Sequence, residues 1–115
     1  MTERELALRR RIFESFARTG APPDVEDTAT LRALAAQHVV VLDEDGRIHM
    51  AHPFAAHHEG TRVDAQGRTW WGNCAWDAYG IVAALRLRDA TIHPGGTIFH
   101  IAVPARDWWA DIGFT

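Results

Sequence analysis

Three short turn signals divide this chain into segments that favour short strands and short helices. They are DEDG at residues 43–46, AQGR at residues 65–68 and PGG at residues 94–96, and glycine, proline and aspartate are typical of tight turns. The segments that flank them predict three strand pairs, at residues 38–42 with 47–54, 61–64 with 69–72, and 90–93 with 97–103. Paired strands beside helical segments indicate an α+β fold.

The helical segments are marked by apolar residues at a spacing of three or four. Residues 2–18 predict an amphipathic helix that stops at Thr19-Gly20, and a second short helix follows, with Thr28 or Thr30 as its cap. A third helix is predicted over residues 74–85, and residues 107–115 predict a helical turn that leads into a strand.

The order of these elements suggests two units. Two helices and a hairpin make residues 1–56 similar to a winged-helix module, and residues 57–115 predict a small mixed α/β core with hairpins and one central helix. Winged helices often bind DNA but also serve as packing units. The net charge is −3 and the chain has no lysine, which argues against a nucleic-acid partner because phosphate contacts need a basic surface.

The amino-acid composition limits which classes of protein the chain can belong to. With 47% hydrophobic and 23% charged residues, the chain can bury a core. Its apolar runs, such as the one around residues 38–42, are far shorter than the roughly 20 residues of a membrane span. The N-terminus does not resemble a secretory signal, so we expect a cytoplasmic protein without a membrane partner. A single cysteine excludes an intrachain disulfide.

That cysteine, Cys74, lies between a predicted strand and the third predicted helix. A helix N-terminus favours a thiolate, and Asp77 follows three residues later, on the same helical face. The pair could therefore exchange a proton. A buried, inert cysteine and an aspartate that stabilises the first helical turn explain the same pattern.

Three blocks of sequence add a resemblance to a known family. They are FESFARTGAPP at residues 13–23, VVVLDEDGRI at residues 39–48 with HPF at 52–54, and WGNCAWDAYGI at residues 71–81. In this order and spacing they resemble the bacterial alkylmercury lyase (organomercurial lyase) family over most of the chain.

The resemblance implies a winged-helix-like domain on a mixed α/β core that cleaves carbon–mercury bonds by protonolysis, without an organic cofactor. It matches Cys74 to the first catalytic cysteine, which binds mercury, and Asp77 to the catalytic carboxylate. The expected partners are an organomercurial substrate and small thiols. The family's second catalytic cysteine has no counterpart here, so we expect a short or truncated member whose second sulfur comes from an added thiol or another subunit.

The aromatic and histidine residues give further expectations. Trp71 and Trp76 are candidates to shape an apolar pocket for the organic group. One of Trp70 and Trp71 should be buried, and Trp108-Trp109 are expected to close over the core. Exposed tryptophans are also compatible with a homodimer. His49 and His52 should point to opposite faces of a strand, so no dedicated histidine metal site is predicted. His93 and His100 are expected to face solvent or to bond to backbone groups.

Two other functions fit the sequence. The first is a non-catalytic, thiol-based protein that binds mercury or another soft metal through Cys74. The second is a winged-helix regulator that uses Arg9, Arg10 and Arg11, although nearby acidic residues favour a solvated helix face for them.

Overall fold

A computed structural model of the chain describes residues 1–93 and the backbone of residues 99–101. Its helices are α1 (Glu3–Thr19), α2 (Thr28–Ala36) and α3 (Ala75–Leu85). Its strands are β1 (Val41–Leu42), β2 (Ile48–Ala51), β3 (Phe54–Ala55), β4 (Thr61–Ala65), β5 (Arg68–Gly72), β6 (Ala90–His93) and β7 (Phe99–Ile101). They form two antiparallel sheets, ordered β1-β2-β3 and β5-β4-β6-β7. The predicted α+β class is confirmed.

Helix α1 has a defined signal at each end. The Thr2 side chain accepts a hydrogen bond from the Glu5 amide, and the Glu5 side chain accepts one from the Thr2 amide, which satisfies two amides that the helix leaves free. At the other end Gly20 has a φ of 77°, a left-handed conformation that glycine adopts at little cost. The predicted stop at Thr19-Gly20 is confirmed.

The prediction that Thr28 or Thr30 caps α2 is wrong, because the cap is Asp27. The Asp27 carboxylate accepts hydrogen bonds from the Thr30 amide at 3.1 Å and from the Thr30 hydroxyl at 2.6 Å. A carboxylate can accept both bonds at once, and its negative charge is favourable at a helix N-terminus. Thr30 therefore contributes as a donor to the cap.

This cap gives a pH-dependent prediction. The hydrogen bonds from the side chain and backbone of Thr30 hold the pKa of Asp27 below its usual value. Because the pKa of Asp27 is lower in the folded state, its carboxylate stabilises the protein above about pH 4, where Asp27 is ionised in the unfolded chain as well. This contribution disappears as the pH falls through the pKa of Asp27 in the folded protein. Asp27→Ala should lower the urea midpoint at pH 7, and the deficit should shrink below pH 4. Asp27→Asn, which keeps a neutral acceptor, is the control; a deficit that stays constant with pH would contradict the prediction.

The first predicted hairpin is a three-stranded sheet with short strands. Residues 38–40 are not in β1, because the amides of His38 and Val39 donate to the carbonyls of Ala35 and Leu34 and close the end of α2. The predicted strand over residues 47–54 is interrupted at Pro53, as expected, and the chain turns there so that β3 pairs back onto β2.

The second predicted hairpin is confirmed. Strands β4 and β5 pair in register, with Val63 opposite Trp70. Gln66 and Gly67 form the turn with φ values of 54° and 76°, which is typical of a two-residue turn with both central residues left-handed. Strand β6 has its predicted bounds, and β7 lies within the predicted 97–103 segment. Residues 107–115, with Trp108 and Trp109, lie outside the described residues.

One hydrophobic core joins the two predicted units. It contains residues from all three helices and both sheets, among them Phe16, Leu34, Val63, Ile81 and Ile92. The ring of Phe16 stacks on that of Phe54, with centroids 5.3 Å apart and planes 7° apart. The indole of Trp70 donates to the carbonyl of Ala17 at 3.0 Å, so residues 1–56 and β5 are packed as one body.

Among the residues that the structure describes, no helix has the combination of length and apolar character needed to cross a membrane.

Candidate active site

Cys74 is the residue from which α3 begins. Strand β5 ends at Gly72, and Cys74 follows with an extended backbone, φ −147° and ψ 176°. Its carbonyl accepts a hydrogen bond from the Ala78 amide, but its side chain makes no capping bond and is exposed. The thiol is therefore available to a soluble ligand and is not consumed in closing the helix.

Asp77 lies in the first turn of α3 and is buried. Its position depends on the close approach of β5 to the helix. A Cβ atom on Gly72 would lie 2.9 Å from the Ala78 nitrogen and 3.0 Å from the Asp77 Cβ, distances that a larger residue could not occupy without displacing the backbone. Glycine at the end of β5 thus lets the strand contact the turn that carries the carboxylate.

The buried carboxylate is paired with a histidine from the turn between β2 and β3 of the first sheet. His52 Nδ1 lies 3.0 Å from Asp77 Oδ1, and the two side chains are 76% and 8% exposed. His52 lies between β2 and β3, next to Pro53, and a Cβ atom added at Gly80 would lie 3.2 Å from the Pro53 Cβ. The turn after β2 therefore packs on α3 and brings the imidazole to Asp77.

A second group of side chains surrounds the residue before the thiol. His57 Nε2 donates to the Asn73 side-chain oxygen at 3.1 Å, an assignment that follows because an amide oxygen only accepts. His49 stacks on His57 with centroids 4.6 Å apart. His49 and His52 thus contact different partners, and in residues 1–93 no group of three or more histidine, cysteine, aspartate and glutamate side chains is arranged to hold a metal ion.

The two predicted pocket tryptophans differ in their surroundings. Trp71 is half-buried and stacks on His58 with centroids 4.9 Å apart, whereas Trp76 is 82% exposed on the first turn of α3. Trp70 is buried, as expected for one of the adjacent pair. A groove of about 500 Å³ lies elsewhere, between the chain after α1 and the β1–β2 turn, and is lined by Pro22, Asp24, Val25, Leu31, Arg47 and Ile48, among others.

His93 has a side-chain partner that the sequence does not predict. It is partly exposed, and its Nε2 lies 3.0 Å from Asp64 Oδ2. The same carboxylate accepts bonds from Arg62 and Thr69, so its contacts come from β4 itself and from both neighbouring strands. The side chain of His100 lies outside the described part of the chain.

Comparisons with protein families, with curated proteins and with solved structures found no match to this chain. The chemistry of the site and the resemblance of its sequence are what bear on its function. An exposed thiol can bind a soft cation. A carboxyl group on the same helical turn can donate or accept a proton, and the imidazole of His52 can hold that carboxyl group in place.

Proposed function

We propose that this protein is organomercurial lyase-like and cleaves carbon–mercury bonds by protonolysis, releasing a hydrocarbon and Hg(II). The observation that carries the proposal is the combination of an exposed Cys74 thiol and a buried Asp77 carboxyl group in the first turn of one helix. Both lie within the segment WGNCAWDAYGI, residues 71–81, which resembles the family's active-site segment.

The reaction can be written with these two groups alone. Cys74 binds R–Hg⁺ through sulfur, and Asp77 takes the thiol proton. Asp77 then donates this proton to the carbon, which keeps the electron pair of the breaking carbon–mercury bond and leaves as R–H. Hg(II) stays bound to the Cys74 sulfur, and the Asp77 carboxylate is restored.

Release of Hg(II) needs a further sulfur ligand, since the chain contains one cysteine. Small thiols can supply it by ligand exchange, because thiolates bind soft cations strongly. A reducing cytoplasm holds such thiols in excess, and we place the reaction there. A second copy of the chain is the other source, in which case the active form is a homodimer. No organic cofactor takes part.

The test is release of benzene from phenylmercury by the purified protein in excess glutathione, measured by headspace gas chromatography. We expect several equivalents of benzene per protein chain and only the slow background rate without protein. Wild-type protein that releases no benzene above background, at any thiol concentration, would defeat the proposal.

A non-catalytic soft-metal binder is the second candidate, and the presence of a single exposed thiol favours it. This function predicts capture of one phenylmercury per chain, detected by mass spectrometry, without benzene. The same experiment therefore separates the two functions.

The winged-helix regulator has less support. The Arg11 guanidinium donates to the Asp24 carbonyl, and the Arg9 guanidinium lies over the Phe13 ring at 5.5 Å from its centroid. Both side chains thus interact within the chain itself. Salt-dependent binding to duplex DNA that is weakened by substitutions at these arginines would support the regulator instead.

A further inference from the structure

The chemistry of His52 and Asp77 determines which of the two side chains can donate a hydrogen bond to the other. The two atoms are 3.0 Å apart, and a hydrogen between them can only come from His52 Nδ1 when Asp77 is ionised, because a carboxylate oxygen only accepts. The side chain of His52 is 76% exposed while that of Asp77 is 8% exposed. The buried carboxylate is therefore bound by an imidazole that enters from the surface.

The backbone of His52 is fixed at both ends. Ala51, before it, is buried and pairs with Phe54, which is also buried. Pro53, after it, packs near Gly80 on the second turn of α3. The imidazole is thus set against the first turn of the helix by the packing of the turn between β2 and β3.

We propose that His52 is a positioning residue for Asp77. By donating from Nδ1 to Oδ1 it fixes the rotation of the carboxyl group and leaves Oδ2 as the oxygen that carries the proton to the carbon. This inference rests on the proposed lyase function. It assigns no substrate contact to His52, because the histidine acts only through Asp77.

Three substitutions at position 52 separate this role from others. The side-chain nitrogen of asparagine can occupy the place of Nδ1, one bond from Cγ, whereas glutamine places its nitrogen one bond further out and alanine has no donor. We expect His52→Asn to retain kcat within about threefold. His52→Gln and His52→Ala should lower kcat by about 10- to 100-fold, the range typical of groups that orient a reactive ligand, with little change in KM because Cys74 still binds mercury.

His93→Ala is the matched control, since it removes another histidine–carboxylate contact of 3.0 Å, with Asp64. It should leave kcat unchanged. Full activity of His52→Ala, or equal losses in His52→Asn and His52→Ala, would overturn the positioning role. Circular dichroism of each variant checks the fold; since His52 is exposed, we expect all of them to be folded.

A measurement without substrate tests the contact independently of turnover. In ¹⁵N-labelled wild-type protein, the imidazole nitrogens of His52 should report a hydrogen on Nδ1, and Asp77→Ala should abolish this preference. If wild-type protein releases no benzene, the lyase function fails while this result still shows whether the pair exists. If wild-type protein is active and the preference for Nδ1 is absent, the positioning role alone fails.

Discussion

Serine in place of Cys74 should abolish both mercury capture and hydrocarbon release. Serine is nearly the same size as cysteine, but its hydroxyl oxygen is a hard donor with little affinity for a soft cation. Cys74 is the chain's single cysteine and is exposed, so the variant retains no thiol and the fold has no reason to change. Benzene release from phenylmercury should fall by more than about 10³-fold, as expected when a covalent ligand to the reacting group is removed. Retained capture by the Cys74→Ser protein would contradict the assignment of the mercury ligand.

A substitution at Asp77 should separate the binding of phenylmercury from the cleavage of its carbon–mercury bond. Asp77→Asn should bind phenylmercury normally, one equivalent per chain, while benzene release falls by about 10²- to 10⁴-fold, the usual contribution of a general acid or base. Asparagine keeps the shape of the side chain and an oxygen that can accept from His52. Asp64→Asn is the control, because it alters a carboxylate that contacts His93, Arg62 and Thr69. Equal turnover in wild-type and Asp77→Asn protein would exclude Asp77 as the proton donor.

Alanine in place of Phe16 should cause the largest loss of stability among single alanine substitutions in α1. The Phe16 side chain is fully buried and stacks on Phe54, where the N-terminal helix meets the first sheet. Removal of a buried phenylalanine costs about 3–5 kcal/mol, a large share of the roughly 5–15 kcal/mol that stabilises a domain. Urea unfolding followed by circular dichroism measures the difference.

Phe13→Ala is the matched control for this substitution. Phe13 is one turn earlier in α1, half-buried, and its ring is 6.4 Å from that of Phe54, so its loss should be clearly smaller. Because one core joins both predicted units, wild-type protein should unfold in a single transition when followed by circular dichroism or by tryptophan fluorescence. Separate transitions, or equal losses for the two variants, would contradict the shared core.

Local signals in the sequence account for much of the fold. The Gly20 stop, the β4–β5 hairpin and the bounds of β6 follow from turn residues and from alternation over a few positions, which is the range over which such patterns act. The sequence does not single out the Asp27 cap, because Thr28 and Thr30 are also good caps. β-branched residues favour strands and so predict a longer β1 than the structure has, because residues 38 and 39 close α2 instead.

The candidate site likewise contains residues that the sequence indicates and contacts that it does not. Cys74 and Asp77 were identified from their spacing and from the resemblance, because both lie in one continuous segment. The pairing of His52 with Asp77 has no signal in the sequence, since the two residues are 25 positions apart and the contact depends on how the first sheet packs against α3. The stacking of His58 on Trp71 has no sequence signal for the same reason.

The hydrogen bond from the Trp70 indole to the Ala17 carbonyl also offers a way to observe this molecule. Trp70 is the one buried tryptophan among the residues the structure describes, and its indole is held by the last turn of α1. Detachment of that helix would expose the indole ring to water and shift its fluorescence emission to longer wavelength. With the chain's four other tryptophans replaced, the emission of Trp70 would report whether the amino-terminal helix is packed against β5, the strand that ends two residues before Cys74.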